Sequence, residues 1–105
     1  MSYDLFLEPE VHAARDKLPG KLRQRVRQAI TALAASPRPS ESATMDSAGL
    51  NLREGIELRR IRMEHWRVVY AVCNEERWVW VLAVRRRPPY GYTDLPELVE
   101  RLPTG

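Results

Sequence analysis

Arginines and tyrosines collect in the carboxy-terminal half of this chain. Residues 59–70 read Arg-Arg-Ile-Arg-Met-Glu-His-Trp-Arg-Val-Val-Tyr, and residues 85–92 read Arg-Arg-Arg-Pro-Pro-Tyr-Gly-Tyr. Guanidinium groups bind phosphate oxygens, and aromatic rings stack on bases. Residues 59–87 hold eight arginines against three glutamates, a charge of +5, whereas the whole chain has a formal charge of +3. This clustering predicts a polyanion-binding face, and RNA is the ligand that it favours.

A single arginine on a strand often only faces solvent, so the interpretation depends on the whole cluster. Its members near the ends of strand-like segments are Arg59, Arg60, Arg62, Arg67 and Arg87. Tyr90 and Tyr92 follow the last segment outside any periodic apolar pattern, and one of them should face the substrate. His65 is the only nearby side chain whose type titrates near neutral pH, which makes it a further candidate. Together these residues predict a phosphate-binding site beside a tyrosine.

Other kinds of catalytic site have no recognisable pattern in this sequence. His12 and His65 are far apart, no ligand cluster has metal-binding spacing, and no glycine-rich phosphate loop is present. Cys73 is the single cysteine and lies in an apolar segment, which is typical of a core residue. RNA can be cleaved without a metal, because its 2′-OH is a built-in nucleophile and rigid cations can stabilise the charged phosphorane. We therefore expect neither a metal nor a cofactor.

The elements before the arginine cluster are a short strand and two helices. Residues 3–8 alternate between apolar and polar types, which predicts a strand that ends before Pro9. Apolar residues recur every three or four positions over 9–18, and again from Leu22 to near Ala35. A Pro-Gly pair separates these two stretches, so we predict a helical hairpin.

The second half of the chain predicts a loop, three strands and a closing helix. Residues 36–49 contain two prolines and four serines, a composition typical of a loop. Strands are expected at 55–62, 66–73 and 77–85, and their short connections imply an antiparallel meander. A capping-box pattern at Asp94 then precedes an apolar helical stripe.

These elements predict one small α+β domain over residues 1–105, in the order strand, helix, helix, strand, strand, strand, helix. The helical hairpin should cover one face of an antiparallel sheet, and the other face should stay open for the site. The sequence has no run of 18 apolar residues and no pattern of a signal peptide. We therefore expect a soluble cytoplasmic protein that does not enter a membrane.

The chain resembles the RelE/ParE superfamily of bacterial type II toxin–antitoxin toxins. The resemblance includes the opening Tyr-x-Leu-x-Leu strand, Lys-Leu-Pro between the helices and Ser-Pro-Arg-Pro in the loop. Its most specific part is Arg-Ile-Arg at 60–62 followed by Trp-Arg-Val-Val-Tyr at 66–70. In this superfamily, RelE-like members cut messenger RNA in the decoding site of the ribosome, whereas ParE-like members act on DNA gyrase.

The resemblance also implies which residues form the site. RelE-like sites have basic residues on the first meander strand, arginines starting the second and ending the third, and a tyrosine shortly afterwards. The matching catalytic residues here are Arg60, Arg67, Arg87, Tyr90 and Tyr92. The RNA-binding residues expected around them are Arg59, Arg62, Arg85, Arg86 and His65. A further basic position of the family, two residues before Arg60, is Leu58 in this chain.

This resemblance implies a toxin that cleaves messenger RNA on the ribosome and is neutralised by a cognate antitoxin. Arginine keeps its proton at neutral pH, so the arginines suit charge stabilisation, with Arg87 at the leaving 5′-oxygen. Tyr90 or Tyr92 would orient or deprotonate the 2′-OH. One alternative is a ParE-like gyrase inhibitor without nuclease activity. Another is a member that keeps the fold and binds an antitoxin without being toxic.

Overall fold

A five-stranded sheet and three helices form the part of the chain that the computed structural model describes, residues 2–87 and 92–103. The strands are β1 (Asp4–Leu7), β2 (Ser42–Thr44), β3 (Ile56–Met63), β4 (Trp66–Cys73) and β5 (Trp78–Arg86). The helices are α1 (Pro9–Asp16), α2 (Gly20–Ala32) and α3 (Leu95–Val99). The predicted α+β class is confirmed. Within these ranges no helix has the length and apolar character needed to cross a lipid bilayer.

The sheet has the strand order β1-β5-β4-β3-β2. β3, β4 and β5 form the predicted antiparallel meander, and β1 joins its outer edge in parallel with β5, which makes the sheet mixed. β2 lies inside the segment for which the sequence predicts a loop. It pairs only three residues with Arg59–Ile61 of β3, too few for an alternating pattern to stand out.

The helical hairpin packs on one face of the sheet, as its periodic apolar residues predict. Val11 of α1 and Val26 and Ile30 of α2 are fully buried against this face. The strands contribute their alternating apolar positions to the same core; these are Ile61, Met63, Val68, Tyr70, Val72, Val79, Val81 and Val84. Tyr70 donates a hydrogen bond from its hydroxyl to the carbonyl of Pro37 at 2.7 Å, so its polar atom is satisfied inside the core.

The second face of the sheet is partly covered, which differs from the open face that the sequence predicts. α3 lies on it and buries Leu95, Leu98 and Val99 in a second core with Cys73 and Trp78. An apolar stripe of this kind on a short helix is stable only when it packs against another apolar surface. The ends of β3, β4 and β5 that hold the arginines extend from this covered region.

Candidate functional site

Four arginines share one face of the sheet. The register places Arg62 beside Arg67 and Arg67 beside Arg85, and Arg60 occupies the next position of that face on β3. Paired residues on neighbouring strands lie about 5 Å apart. The alternating positions on the same strands pack in the core under α3; these are Leu58, Val69 and Ala83. The four side chains therefore start from the α3 side of the sheet, and we call Arg60, Arg62, Arg67 and Arg85 the arginine face.

A β-bulge decides which arginines of β5 belong to this face. The pairing of β5 with β4 is interrupted at Leu82, which has no partner on β4. Leu82 and Ala83 consequently both pack on the α3 side, and the alternation of β5 shifts by one residue. The shift places Arg85 on the arginine face and Arg86 on the opposite face. An uninterrupted strand would have exchanged them.

Like charges that face one another across strands destabilise a sheet unless acidic groups neutralise them. On the arginine face, one of the four arginines has such a partner in the described structure. Arg85 forms an ion pair with Asp94. For Arg60, Arg62 and Arg67, no acidic side chain within residues 2–87 and 92–103 lies at ion-pair distance. An arrangement that keeps three neighbouring cations without counter-charges is suited to binding a polyanion.

Arg67 is held in place by backbone carbonyl groups. Its Nη1 donates to the carbonyl oxygens of Glu64 at 3.1 Å and of Trp66 at 2.9 Å. Its Nε is buried and has no acceptor among the described atoms. Carbonyl acceptors orient the guanidinium without neutralising its charge, so the cation can still attract a phosphate.

Arg87 and Tyr92 lie together at the end of β5. The backbone N–H of Arg87 donates to the carbonyl of His65 at 2.7 Å, which extends the pairing of β4 with β5 by one residue. The Arg87 guanidinium carbon lies 4.8 Å from the centre of the Tyr92 ring, within cation–π distance. Tyr92 packs on the edge of the core under α3, and its hydroxyl is buried without a hydrogen-bond partner in the described structure. The Arg87 cation is thus placed beside the ring of a tyrosine whose hydroxyl is unsatisfied.

Arg85 differs from its neighbours because its charge is already matched. Its Nη1 and Nη2 donate to the two carboxylate oxygens of Asp94 at 2.7 and 3.0 Å. These hydrogen bonds hold the pKa of Asp94 below its usual range. The sequence pattern predicts Asp94 as the cap of α3, but its side chain makes no capping hydrogen bond. The pairing with Arg85 was missed because no sequence spacing indicates a contact between β5 and the start of α3.

Leu58 replaces a basic residue that the family resemblance leads one to expect. It is 1% exposed and packs in the core under α3. A lysine or arginine there would bury a charge among apolar side chains, which is costly without a partner. The departure from the family pattern at this position is therefore consistent with the packing of this fold.

Arg59 lies on the opposite face of the sheet, in a polar cluster with β2. Its guanidinium donates to Ser42 Oγ, Thr44 Oγ1 and Glu57 Oε2, and its side chain is 11% exposed. Glu57 also accepts from Arg38 at 2.8 Å. The hydrogen-bonding capacity of Arg59 is spent within the protein, so it does not join the arginine face.

Glu57→Gln should destabilise the protein at neutral pH, and its free energy of unfolding should fall less than that of the wild type as the pH is lowered. Burial alone would raise the pKa of Glu57, but hydrogen bonds from Thr44, Arg38 and Arg59 outweigh burial and lower it. A carboxylate whose pKa is lower in the folded state than in the unfolded state stabilises the fold fully at any pH above its unfolded-state pKa. This contribution is lost as the pH falls through the folded-state pKa. We expect a loss of about 1 kcal/mol at pH 7.

Urea unfolding between about pH 7 and pH 3 tests this expectation, and the difference from wild type should shrink below about pH 4.5, the unfolded pKa region of a glutamate. Glu54→Gln is the control, because Glu54 is exposed and forms no ion pair within the described ranges. A difference that persists unchanged at pH 3 would contradict the role of the carboxylate charge.

Arg86 and His65 line one cleft together, and Arg86 also lines a larger cleft of about 580 Å³ with Arg85 and Asp94. The cleft shared with His65 has a volume of about 300 Å³ and lies between the β3–β4 turn and the start of α2; its lining residues are Pro19, Leu22, Glu64, His65, Trp66 and Arg86. Both predicted RNA-binding residues are exposed; Arg86 starts from the other side of the sheet, and His65 lies in the β3–β4 turn. The structure therefore separates them from Arg60, Arg62 and Arg67.

Two further expectations concern Tyr90 and metal binding. Tyr90 lies outside the described residues, so the structure places only Tyr92 of the two tyrosines. Within the described ranges, no group of three or more histidine, cysteine or carboxylate side chains is arranged to hold a metal ion. Cys73 is buried, as its apolar segment predicts.

Comparison with solved structures relates this fold to RelE toxins. A chain of the archaeal RelE–RelB complex from Pyrococcus horikoshii OT3 superimposes with a TM-score of 0.70 at 22% identity, over 86% of this chain and 100% of that one. The RelBE2 toxin–antitoxin complex of Mycobacterium tuberculosis gives a TM-score of 0.61 at 20% identity, over 83% and 100%. An Escherichia coli RelE variant in the free state gives 0.58 at 19% identity, over 96% and 97%. These similarities establish a RelE-like fold.

The sequence comparison identifies the family. No curated protein matches the sequence of this chain. The family model of the ParE toxin of type II toxin–antitoxin systems, parDE, matches residues 7–88. This match covers the helical hairpin, the meander and all four residues of the arginine face. The chain therefore belongs to the ParE toxin family within the RelE/ParE superfamily, and it is the toxin of a type II toxin–antitoxin system.

Proposed function

We propose that this toxin is an endoribonuclease that cleaves messenger RNA on the ribosome. The observation that carries the proposal is the contact of Arg87 with Tyr92 beside the unneutralised arginines Arg60, Arg62 and Arg67. Gyrase binding requires neither this row of cations nor a tyrosine hydroxyl left without a partner. Both features suit a phosphodiester that gains negative charge during cleavage.

The proposed reaction is attack of the ribose 2′-oxygen on the adjacent phosphorus. The 2′-OH loses its proton as the new P–O bond forms, and the P–O5′ bond breaks to leave a cyclic phosphate and a 5′-OH end. Arg67 and Arg87 would stabilise the phosphorane and the departing 5′-oxygen, which takes a proton from water. Tyr92 Oη is buried in the free protein, and once RNA binding exposes it, it would accept a hydrogen bond from the 2′-OH or, as the phenolate, take its proton. Arg60 and Arg62 would hold the neighbouring phosphates.

Mapping of transcript ends after brief expression tests the proposed function. An endoribonuclease should leave messages cut within coding sequence and carrying 5′-OH ends, and purified toxin should produce the same cuts on programmed ribosomes. Intact messages together with DNA trapped in gyrase cleavage complexes would overturn the proposal.

That second outcome defines the other candidate function, a ParE-like gyrase inhibitor without nuclease activity. The specific observation in its favour is the family model, which is named for the ParE toxin of parDE. The two functions make opposite predictions for RNA ends and for DNA breaks, so one expression experiment separates them.

The proposed partner of the toxin is a cognate antitoxin. The related complexes from P. horikoshii, M. tuberculosis and E. coli each contain RelE with RelB or form a RelBE complex. An acidic segment of an antitoxin laid over the arginine face would neutralise its charges and block access of RNA. We propose that inhibition works in this way here.

The salt dependence of RNA binding gives a quantitative prediction. Four arginines without an acidic partner in the described structure, Arg60, Arg62, Arg67 and Arg87, would contact phosphates. At roughly −0.7 per contact on a single strand, log affinity should fall with log salt at a slope of about −2.8. A 2′-O-methyl oligonucleotide is the ligand, because it cannot be cleaved by 2′-OH attack.

Two variants sharpen this measurement. Arg62→Ala should reduce the slope by about 0.7, whereas Arg27→Ala, which removes an exposed arginine of α2 on the helical side of the molecule, should leave it unchanged. A slope near zero in the wild type would show that phosphates are not the ligand of the arginine face.

A further inference from the structure

The ion pair of Arg85 with Asp94 has a more defined geometry than most surface ion pairs. Both guanidinium Nη atoms engage both carboxylate oxygens, at 2.7 and 3.0 Å, in the planar two-point geometry that fixes direction as well as distance. The Arg85 side chain is 15% exposed. A partly buried bidentate pair holds two chain segments in one relative position, whereas a single exposed contact does not.

The two segments joined by this pair are the same two that bring Arg87 to Tyr92. Arg85 precedes Arg87 by two residues, and Asp94 follows Tyr92 by two residues. The ion pair and the cation–π pair therefore form two successive links between the end of β5 and the segment before α3. Two residues of chain span at most about 7 Å, so the position of Asp94 restricts where Tyr92 can lie.

A third link holds the opposite end of α3. Arg101 pairs with Glu8 and Glu10 at the start of α1, and its side chain is 37% exposed. This link anchors the same helix but lies at its far end from Tyr92. Loss of the Arg101 link should therefore weaken the anchoring of α3 without moving Tyr92, which makes it a control for loss of the Asp94 link.

We propose that Asp94 is a positioning residue, which by binding Arg85 holds the Tyr92 ring against Arg87 in the geometry required for RNA cleavage. This inference rests on the proposed endoribonuclease function. Asp94 thus sets the geometry of the site.

Asp94→Asn tests this positioning role. The amide has nearly the same shape but offers a single acceptor and no charge. Misplacement of Tyr92 should lower the single-turnover cleavage rate by roughly ten- to a hundredfold. The affinity for the uncleavable oligonucleotide and its salt slope should stay at the wild-type values, because the four arginines that bind phosphate are unchanged. A variant that misfolds would instead lose cleavage rate and affinity together.

Arg85→Gln is the second variant, and it guards against simple misfolding of Asp94→Asn. It should lower the cleavage rate by a similar factor without changing the slope. The double variant should be no slower than the slower single variant, because both act through one contact. Arg101→Gln should cleave at the wild-type rate with the wild-type slope.

The outcomes distinguish a failure of the proposed function from a failure of the positioning role. A wild-type protein that leaves ribosome-bound message intact overturns the proposed function. A wild-type protein that cleaves, together with a folded Asp94→Asn variant that cleaves equally fast, overturns the positioning role alone. Equal losses in Asp94→Asn and Arg101→Gln would also overturn it, because anchoring of α3 would then explain both.

Discussion

Replacing Arg87 with alanine should reduce RNA cleavage by about 100- to 1000-fold, the loss typical when one preorganised donor to a developing negative charge is removed. Arg87 is exposed, yet its position is fixed at two points. Its backbone pairs with His65 at 2.7 Å, and its guanidinium lies 4.8 Å from the Tyr92 ring centre. A fixed cation stabilises charge at the leaving oxygen without paying for reorganisation during the reaction.

The measurement is single-turnover cleavage on programmed ribosomes, with Arg77→Ala as the matched control. The Arg77 guanidinium lies 4.5 Å from the ring centre of Tyr3, so the control also removes an arginine that contacts a tyrosine ring. Tyr3 lies just before β1 and Arg77 lies in the β4–β5 turn, away from the arginine face. Arg77→Ala should therefore cleave at nearly the wild-type rate.

The stability of Arg87→Ala should stay close to that of the wild type, because an exposed cation–π contact contributes only about 0.5–1 kcal/mol. Loss of cleavage with retained folding would place Arg87 in the chemical step. If Arg87→Ala cleaves as fast as Arg77→Ala, the leaving-group role belongs to another residue, and the assignment of the site to this end of β5 fails.

The elements that sequence periodicity predicts well are those with a single buried face. α2 repeats its apolar residues every three or four positions, and Val26 and Ile30 are accordingly buried beneath it. β4 is buried on both faces, but its flanking turns and β-branched residues define its limits, Trp66–Cys73, to the residue. Local pattern is sufficient where local burial decides the structure.

The sequence does not predict which residues of β5 lie on which face of the sheet. It therefore does not predict which arginines share the site. A simple alternation from Trp80 would place Arg86 on the α3 side, but the bulge at Leu82 puts Arg85 there. A bulge arises from the fit between two strands, so neither strand alone encodes it in a readable form. The cluster of arginines is visible in the sequence, whereas its division between two faces is not.

The pairing of Asp94 with Arg85 could not be predicted from the sequence for a related reason. Asp94 precedes an apolar helical stripe, which is the usual position of a helix N-cap, so the local pattern predicts that role. In the fold, Arg85 lies within hydrogen-bond distance and provides two charged donors, which a carboxylate favours over backbone N–H groups. Tertiary contact therefore overrides the local preference, at a place close to the candidate chemistry.

Replacing Tyr92 with phenylalanine should have opposite consequences for activity and stability. The ring, and with it the contact with Arg87, is retained, but the hydroxyl is lost. Because Tyr92 Oη is buried without a partner in the described structure, its removal should leave stability unchanged or raise it slightly. Cleavage should nevertheless fall by about 100-fold, within the usual contribution of a general base.

Tyr3→Phe is the control for this variant. Tyr3 also lies under an arginine, but its hydroxyl donates to Asn74 Oδ1 at 2.9 Å, so its removal should cost some stability and no activity. The contrast between the two variants isolates the chemistry of a hydroxyl from the packing of a ring. If Tyr92→Phe cleaves at the wild-type rate, then Tyr92 serves only to hold Arg87 through its ring. The proton of the 2′-OH must in that case pass to another acceptor, and Tyr90→Phe becomes the variant that decides whether a tyrosine takes part at all.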